Sequence, residues 1–218
     1  MKKFVIFNFL MLSFLFPGLG LCKDLSSAYM IGIRFGFWNA VKAKNIESFS
    51  DQEITSKVAA PYGEFYISSG LKKGFAIELS LGSCYRGETR YHDSYGYYWK
   101  RINIYPFSVQ LKFYPLSTIK KSRWQPYTDV GVAFVSGVED LRVGEYVGPS
   151  ILTEDLTNTF STFGWHAGLG LDFILSRLIV LGVDFKYRGV NFNDKIGGLK
   201  DYSGPQATLG LSYILKGI

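Results

Sequence analysis

The chain is poor in the residues from which metal sites and disulfide frameworks are built, with two cysteines and two histidines in 218 residues. It lacks zinc-type Cys/His spacing, a Walker loop and a calcium loop, so neither a metal ion nor a nucleotide cofactor is predicted. Long apolar runs are missing as well. The one candidate, Phe4 to Phe16, falls short of the roughly 20 residues that a membrane-spanning helix needs. Lys and Arg total 24 against 18 Asp and Glu, yet they form no extended cluster, which argues against a nucleic-acid surface.

The amino terminus has a different logic. Lys2 and Lys3 precede the apolar run, and Pro17 and Gly18 end it, which is the n-region and h-region of a secretory signal peptide. Residues 1–22 are therefore predicted to be cleaved, after Gly20 or Cys22, leaving residues 23–218 as one domain. Leu19-Gly20-Leu21-Cys22 departs from a lipoprotein signal because Leu21 is not small. Without Cys22, Cys84 stands alone and is predicted to be a buried free thiol.

What the chain has in abundance is alternation. In the segment 74–86, Phe75, Ile77, Leu79 and Leu81 share one face while Ala76, Glu78, Ser80 and Gly82 share the other. Comparable segments lie at about 27–39, 60–68, 101–114, 126–136, 162–174, 178–189 and 204–215. The apolar stripes hold Phe, Leu, Ile and Val with almost no charge, whereas the opposite stripes are glycine-rich and carry ions of both signs. A soluble barrel would turn the apolar stripe inward, leaving glycines and charges as a poor solvent-facing wall. The reverse assignment fits a narrow interior, so the fold predicted is an all-β, eight-stranded, antiparallel, up-and-down transmembrane barrel.

Two features agree. Long and short connections alternate, as in barrels with short periplasmic turns and long outer loops, which puts both termini on the periplasmic side. The longest connection, about 137–161, is the first place to seek a partner. Aromatic residues are also plentiful, with 15 Tyr, 18 Phe and 4 Trp to supply interfacial girdles. Pro106 lacks a ladder donor and is expected to mark a strand end or bulge.

With the faces so assigned, Arg34, Arg86, Lys112, Lys186 and Arg188 point inward, as do Glu64, Glu78, Asp129, Asp172 and Asp184. The matched numbers predict a plug of ion pairs and hydrogen bonds, since unpaired buried charge is expensive.

The segments Pro106-Phe107-Ser108-Val109-Gln110-Leu111-Lys112-Phe113-Tyr114, Trp165-His166-Ala167-Gly168-Leu169-Gly170-Leu171-Asp172-Phe173 and Gln206-Ala207-Thr208-Leu209-Gly210-Leu211-Ser212-Tyr213 resemble the outer-membrane β-barrel domain family, the small barrels of the OmpA and OmpX types. The resemblance implies a monomer in the outer membrane of a Gram-negative-type bacterium, surrounded by outer-membrane lipids and inserted from the periplasm by the barrel-assembly machinery. Leu209, Leu211 and Tyr213 match the family's last strand, although Ile214 to Ile218 extend past its terminal aromatic.

Some barrels of this kind are lipid A-modifying enzymes with a histidine, a serine and often an acid near the outer rim. His166 is followed by Ala167 and Gly168, so it lacks the His-x-Ser pattern of the lipid A deacylases and reads as an inner-wall hydrogen-bonding group. His92-Asp93-Ser94 brings the three residue types together, but adjacent residues seldom converge on one point, and the stretch from Tyr91 to Trp99 reads as a Tyr-rich loop. No catalytic activity is expected. The role predicted is structural or interactive, through the long outer loops. The alternatives are a lipid A-modifying enzyme and a narrow channel for small apolar solutes.

Overall fold

A computed structural model describes residues 25, 28–41, 52–56, 59–71, 73–92, 96–116, 122–147 and 150–215. The predicted signal peptide, Cys22 included, lies outside the described residues. Among the described residues there are ten strands: β1 (Tyr29–Asn39), β2 (Gln52–Ser56), β3 (Ala59–Gly70), β4 (Phe75–His92), β5 (Gly96–Phe113), β6 (Trp124–Val147), β7 (Ser150–Ile174), β8 (Ile179–Ile196), β9 (Leu199–Asp201) and β10 (Gly204–Leu215). Eight of them form a closed antiparallel ring in the order β1, β3, β4, β5, β6, β7, β8, β10, with β10 returning to β1. The short β2 pairs with the far end of β4, and β9 with the far end of β8.

Closure leaves one inner and one outer face to each strand, and the faces follow the alternation. Phe75, Ile77, Leu79 and Leu81 are exposed on the outer wall while Ala76, Glu78, Ser80 and Gly82 are buried. The same holds for Phe35, Phe107, Val130, Leu169, Phe185 and Leu209, all outward. Ring pairs lie on this wall at two levels. Near the end carrying the termini, here called the base, are Phe75–Phe113 and Trp124–Phe173; toward the opposite end, the mouth, are Phe134–Phe163 and Trp165–Tyr187. Phe173 and Phe163 are ten residues apart on β7, which at about 3.4 Å per residue and a tilt of about 40° is a rise of about 25 Å, the height of an outer-membrane apolar band.

Several strands run longer than the alternation predicts. The connection about 137–161, expected to be the longest loop, is instead a hairpin in which β6 and β7 stay in register up to Val147↔Ser150. The Tyr-rich stretch from Tyr91 to Trp99 is also mostly strand, with β4 reaching His92 and β5 starting at Gly96. Pro106 neither ends β5 nor bulges it: the β4–β5 register passes from Leu81↔Phe107 to Cys84↔Ile104 without a shift. The bulge lies four residues further up β4. Arg86 is the extra residue between the pairs Tyr85↔Asn103 and Gly87↔Ile102, and Gly87 takes a φ of 126° that a side chain would resist.

The interior has three layers. At the base, Leu25, Ala28, Met30, Ala76, Tyr114, Tyr127, Ile174, Val180 and Ile214 form an apolar plug. At the mouth a second apolar layer includes Trp38, Tyr62, Cys84, Ile104, Val135, Phe192, Ile196 and Tyr202. Cys84 is the free buried thiol expected. The charged groups lie between, so the inner wall is not polar along its whole length as the stripe assignment implied. The turn joining β8 to β9 uses Gly197 and Gly198, at φ 56° and 83°, to bring Ile196 back over the mouth. Glu139 holds it there, accepting from the Gly197 N–H at 2.7 Å and from Lys100 Nζ at 2.7 Å.

Candidate functional site

The middle layer is built from inward positions of seven strands, and its hub is Glu78. Arg34 donates to Glu78 from both Nη1 (2.6 Å) and Nη2 (2.8 Å), and also from Nη1 to Glu64 Oε1 at 2.7 Å. Lys112 Nζ meets the other side of Glu78 at 2.8 Å. Lys186 lies 3.2 Å from Asp184 and 3.8 Å from Asp129, and Arg188 lies 3.6 Å from Glu64. All ten predicted interior ions are buried, and nine of them belong to this layer. Such a layer is stabilising only when its members also make their hydrogen bonds.

Neutral groups supply most of those bonds, Asp129 having none among the described residues, and the charge count alone did not reveal them. Gln110 donates its amide to Glu78 and accepts at Oε1 from Lys186 Nζ at 2.7 Å. His166 Nε2 lies 2.8 Å from the same oxygen, so it carries the proton there and acts as the inner-wall group predicted. Tyr62, Tyr114 and Tyr127 donate to Glu64, Asp172 and Asp184 at 2.7, 2.8 and 2.8 Å. Arg188 reaches Gln206, Ser108 Oγ at 3.2 Å and the Tyr62 hydroxyl at 3.1 Å.

Glycines make room for these rings. A Cβ on Gly82 would fall 2.3 Å from the Tyr62 hydroxyl oxygen, and one on Gly170 would fall 2.3 Å from the Tyr127 ring. Tyr66 covers Gly32 in the same way and supports the Arg34 guanidinium 3.7 Å above its centroid. This explains the inward phase of Tyr62 and Tyr66.

Arg86 does not join this layer. It lies in the mouth layer, stacked 4.4 Å over Trp38 and 5.4 Å from the Tyr202 ring, with Nη1 donating to the Trp38 carbonyl at 2.9 Å. The predicted match of five cations to five anions is therefore corrected: Arg34, Lys112, Lys186 and Arg188 face five carboxylates. The physical reason is position along β4: Arg86 lies two residues beyond the pair Cys84↔Ile104, which already belongs to the mouth layer, and so above the acids.

Beyond the mouth, β4 to β7 continue as a four-stranded sheet. One edge, β4, is covered by β2 over Gly87 to Tyr91. The other is open: the β7–β8 ladder starts at Gly164, the Thr162 hydroxyl donates to the Asn191 carbonyl of β8 at 2.8 Å, and Ile151 to Ser161 have β6 alone as a strand partner among the described residues. Leu152 and Leu156 there are 63% and 44% exposed. Arg142 binds Asp155 across this hairpin at 2.6 and 3.0 Å and holds its carboxyl below the usual carboxylate range. Of the His92-Asp93-Ser94 candidate, Asp93 and Ser94 lie outside the described residues, as does the His92 side chain. Among the described residues no group of three or more His, Cys, Asp and Glu is placed to hold a metal ion.

A closed eight-stranded wall, apolar outside and filled inside, defines the class of small transmembrane β-barrels. No family model and no curated protein matches the chain. Among solved structures it is similar to the outer membrane protein OprG from Pseudomonas aeruginosa, with TM-score 0.51 and 16% identity over 87% of this chain and 96% of that one. Neisserial surface protein A gives TM-score 0.49 and 11% identity over 87% and 98% of the two chains. The attachment invasion locus protein Ail of Yersinia pestis gives 0.48 and 11% over 87% and 99%. At these identities the likeness is one of fold, and OprG carries it.

Proposed function

We propose that this protein is an outer-membrane surface protein whose barrel anchors a protruding sheet, and that the sheet engages an extended segment of another protein. The observation behind this reading is the asymmetry of the sheet's edges, one closed by β2 and the other, among the described residues, bare from Ile151 to Ser161. An unpaired edge offers a row of N–H and C=O groups that a partner strand can complete, with side-chain contacts setting the choice of partner. Outer-membrane lipids surround the wall, the barrel-assembly machinery inserts it, both termini are periplasmic, and the working unit is a monomer. The apolar layers at base and mouth favour a filled wall over a passage for solutes. His166, bonded within the ion-pair layer, is poorly placed to act as a base.

The test has two parts. Membrane fractionation, with gel mobility compared before and after boiling, examines the barrel; recovery as a soluble periplasmic protein would overturn it. Binding of a library of extended peptides to the barrel in nanodiscs, compared with a version whose hairpin is cut short, examines the edge. Equal capture by both versions would overturn the interaction role.

A further inference from the structure

Among the described residues, Arg86 is a buried cation without a counter-ion. Among the described residues its Nε and Nη2 have no hydrogen-bond partner, and the indole Nε1 of Trp38, on whose ring it stacks, has none either. Two described acids of the mouth are engaged elsewhere: Glu139 holds Lys100 and the Gly197 N–H, and Asp201 accepts from the Ser203 N–H at 2.9 Å. In the layer below, Glu64 serves Arg34 and Tyr62 and lies 3.6 Å from Arg188. The Arg188 guanidinium itself lies 5.6 Å from the Trp38 ring, so a second positive charge faces the same indole.

A water molecule could complete the open donors but would leave the charge uncompensated. Stacking on Trp38 and Tyr202 offsets part of that charge and uses none of the free N–H groups. The backbone also departs from regular pairing at Arg86, through a bulge whose Gly87 sits at positive φ. We infer that the mouth layer binds a small monovalent anion, of halide size, on the free N–H edge of Arg86. Size follows from burial: Arg86 is 5% exposed and its free edge is enclosed, which excludes a bulky ligand. The anion neutralises the mouth and completes the seal above the ion-pair layer. This does not depend on which partner the sheet edge takes.

The test uses the mature chain, refolded in detergent and in lipid. Crystals soaked in bromide are expected to show an anomalous peak within hydrogen-bond distance of Arg86. Replacing gluconate by bromide at constant ionic strength is expected to raise the unfolding temperature by on the order of 3 °C, and Arg86→Met is expected to abolish that dependence. Arg86→Lys, which keeps the charge, retains a weaker one. Density beside Arg86 without anomalous signal, meaning water alone, would overturn the inference, as would full bromide stabilisation in Arg86→Met. If Arg86→Met does not fold, the bromide peak in the wild-type crystal decides by itself.

Discussion

Glu78 receives two bonds from Arg34, one contact from Lys112 and the Gln110 amide, so removing its charge takes Lys112's carboxylate partner away and leaves Arg34 with Glu64 as its close one. Glu78→Gln is expected to destabilise the barrel by about 3–5 kcal/mol, measured as the shift in urea unfolding of the protein in lipid. Asp155 behaves differently because it is exposed. Its carboxyl is lowered by the hydrogen bond from Arg142, so the bond is fully present above the ordinary carboxylate pKa and is lost as pH falls through the lowered folded value. A carboxyl-carbon NMR titration is expected to give Asp155 a lower midpoint in the wild type than in Arg142→Gln; equal midpoints would show that the pair does not form in solution. Of this chemistry, the sequence revealed the ions and not their neutral partners. A glutamine or tyrosine on a polar stripe looks like any other small departure from apolar alternation, and only closure of the ring brings Gln110 to Glu78 and Lys186 together.

Strands were legible wherever one face meets lipid, because a buried or lipid-facing stripe forces a period of two. Above the mouth that constraint ends. Leu152 to Ser161 are exposed or half-buried on both faces, as are Val138 to Glu145 except at Glu139 and Gly144, so the alternation lapses and a hairpin resembles a loop. The inner apolar layers did leave a trace in the sequence, as pairs of large apolar neighbours breaking the alternation toward the mouth: Ile104-Tyr105 and Phe134-Val135, with Val190 and Phe192 in the inward phase. Because Asp140 and Thr157 are directly paired, joining them by Asn-Gly in place of residues 141–156 supplies a two-residue turn without strain. The shortened protein is expected to keep its heat-dependent gel mobility, which would place the tall hairpin outside the cooperative barrel. Loss of that mobility would show that the hairpin is part of it.

For the molecule as a whole, the exterior apolar belt is the feature most open to test. Phe35 lies near mid-height on β1, is 63% exposed, and faces away from Arg34. Phe35→Arg is expected to cost about 2–4 kcal/mol in lipid, whereas Phe35→Leu is tolerated. A soluble barrel would show the opposite tendency, since an arginine on its water-facing side would be harmless.

The unequal strand heights have a mechanical consequence. β7 extends past its last ladder pair with β8, at Gly164, to Ser150, roughly 45 Å measured along the strand. A load applied at the tip of the β6–β7 hairpin runs along both strands as tension and enters the ring through their neighbours as shear. The ladder bonds lie across that direction, so many must yield together instead of opening one by one. The protrusion is thus a mast stepped into the wall, suited to holding under pull.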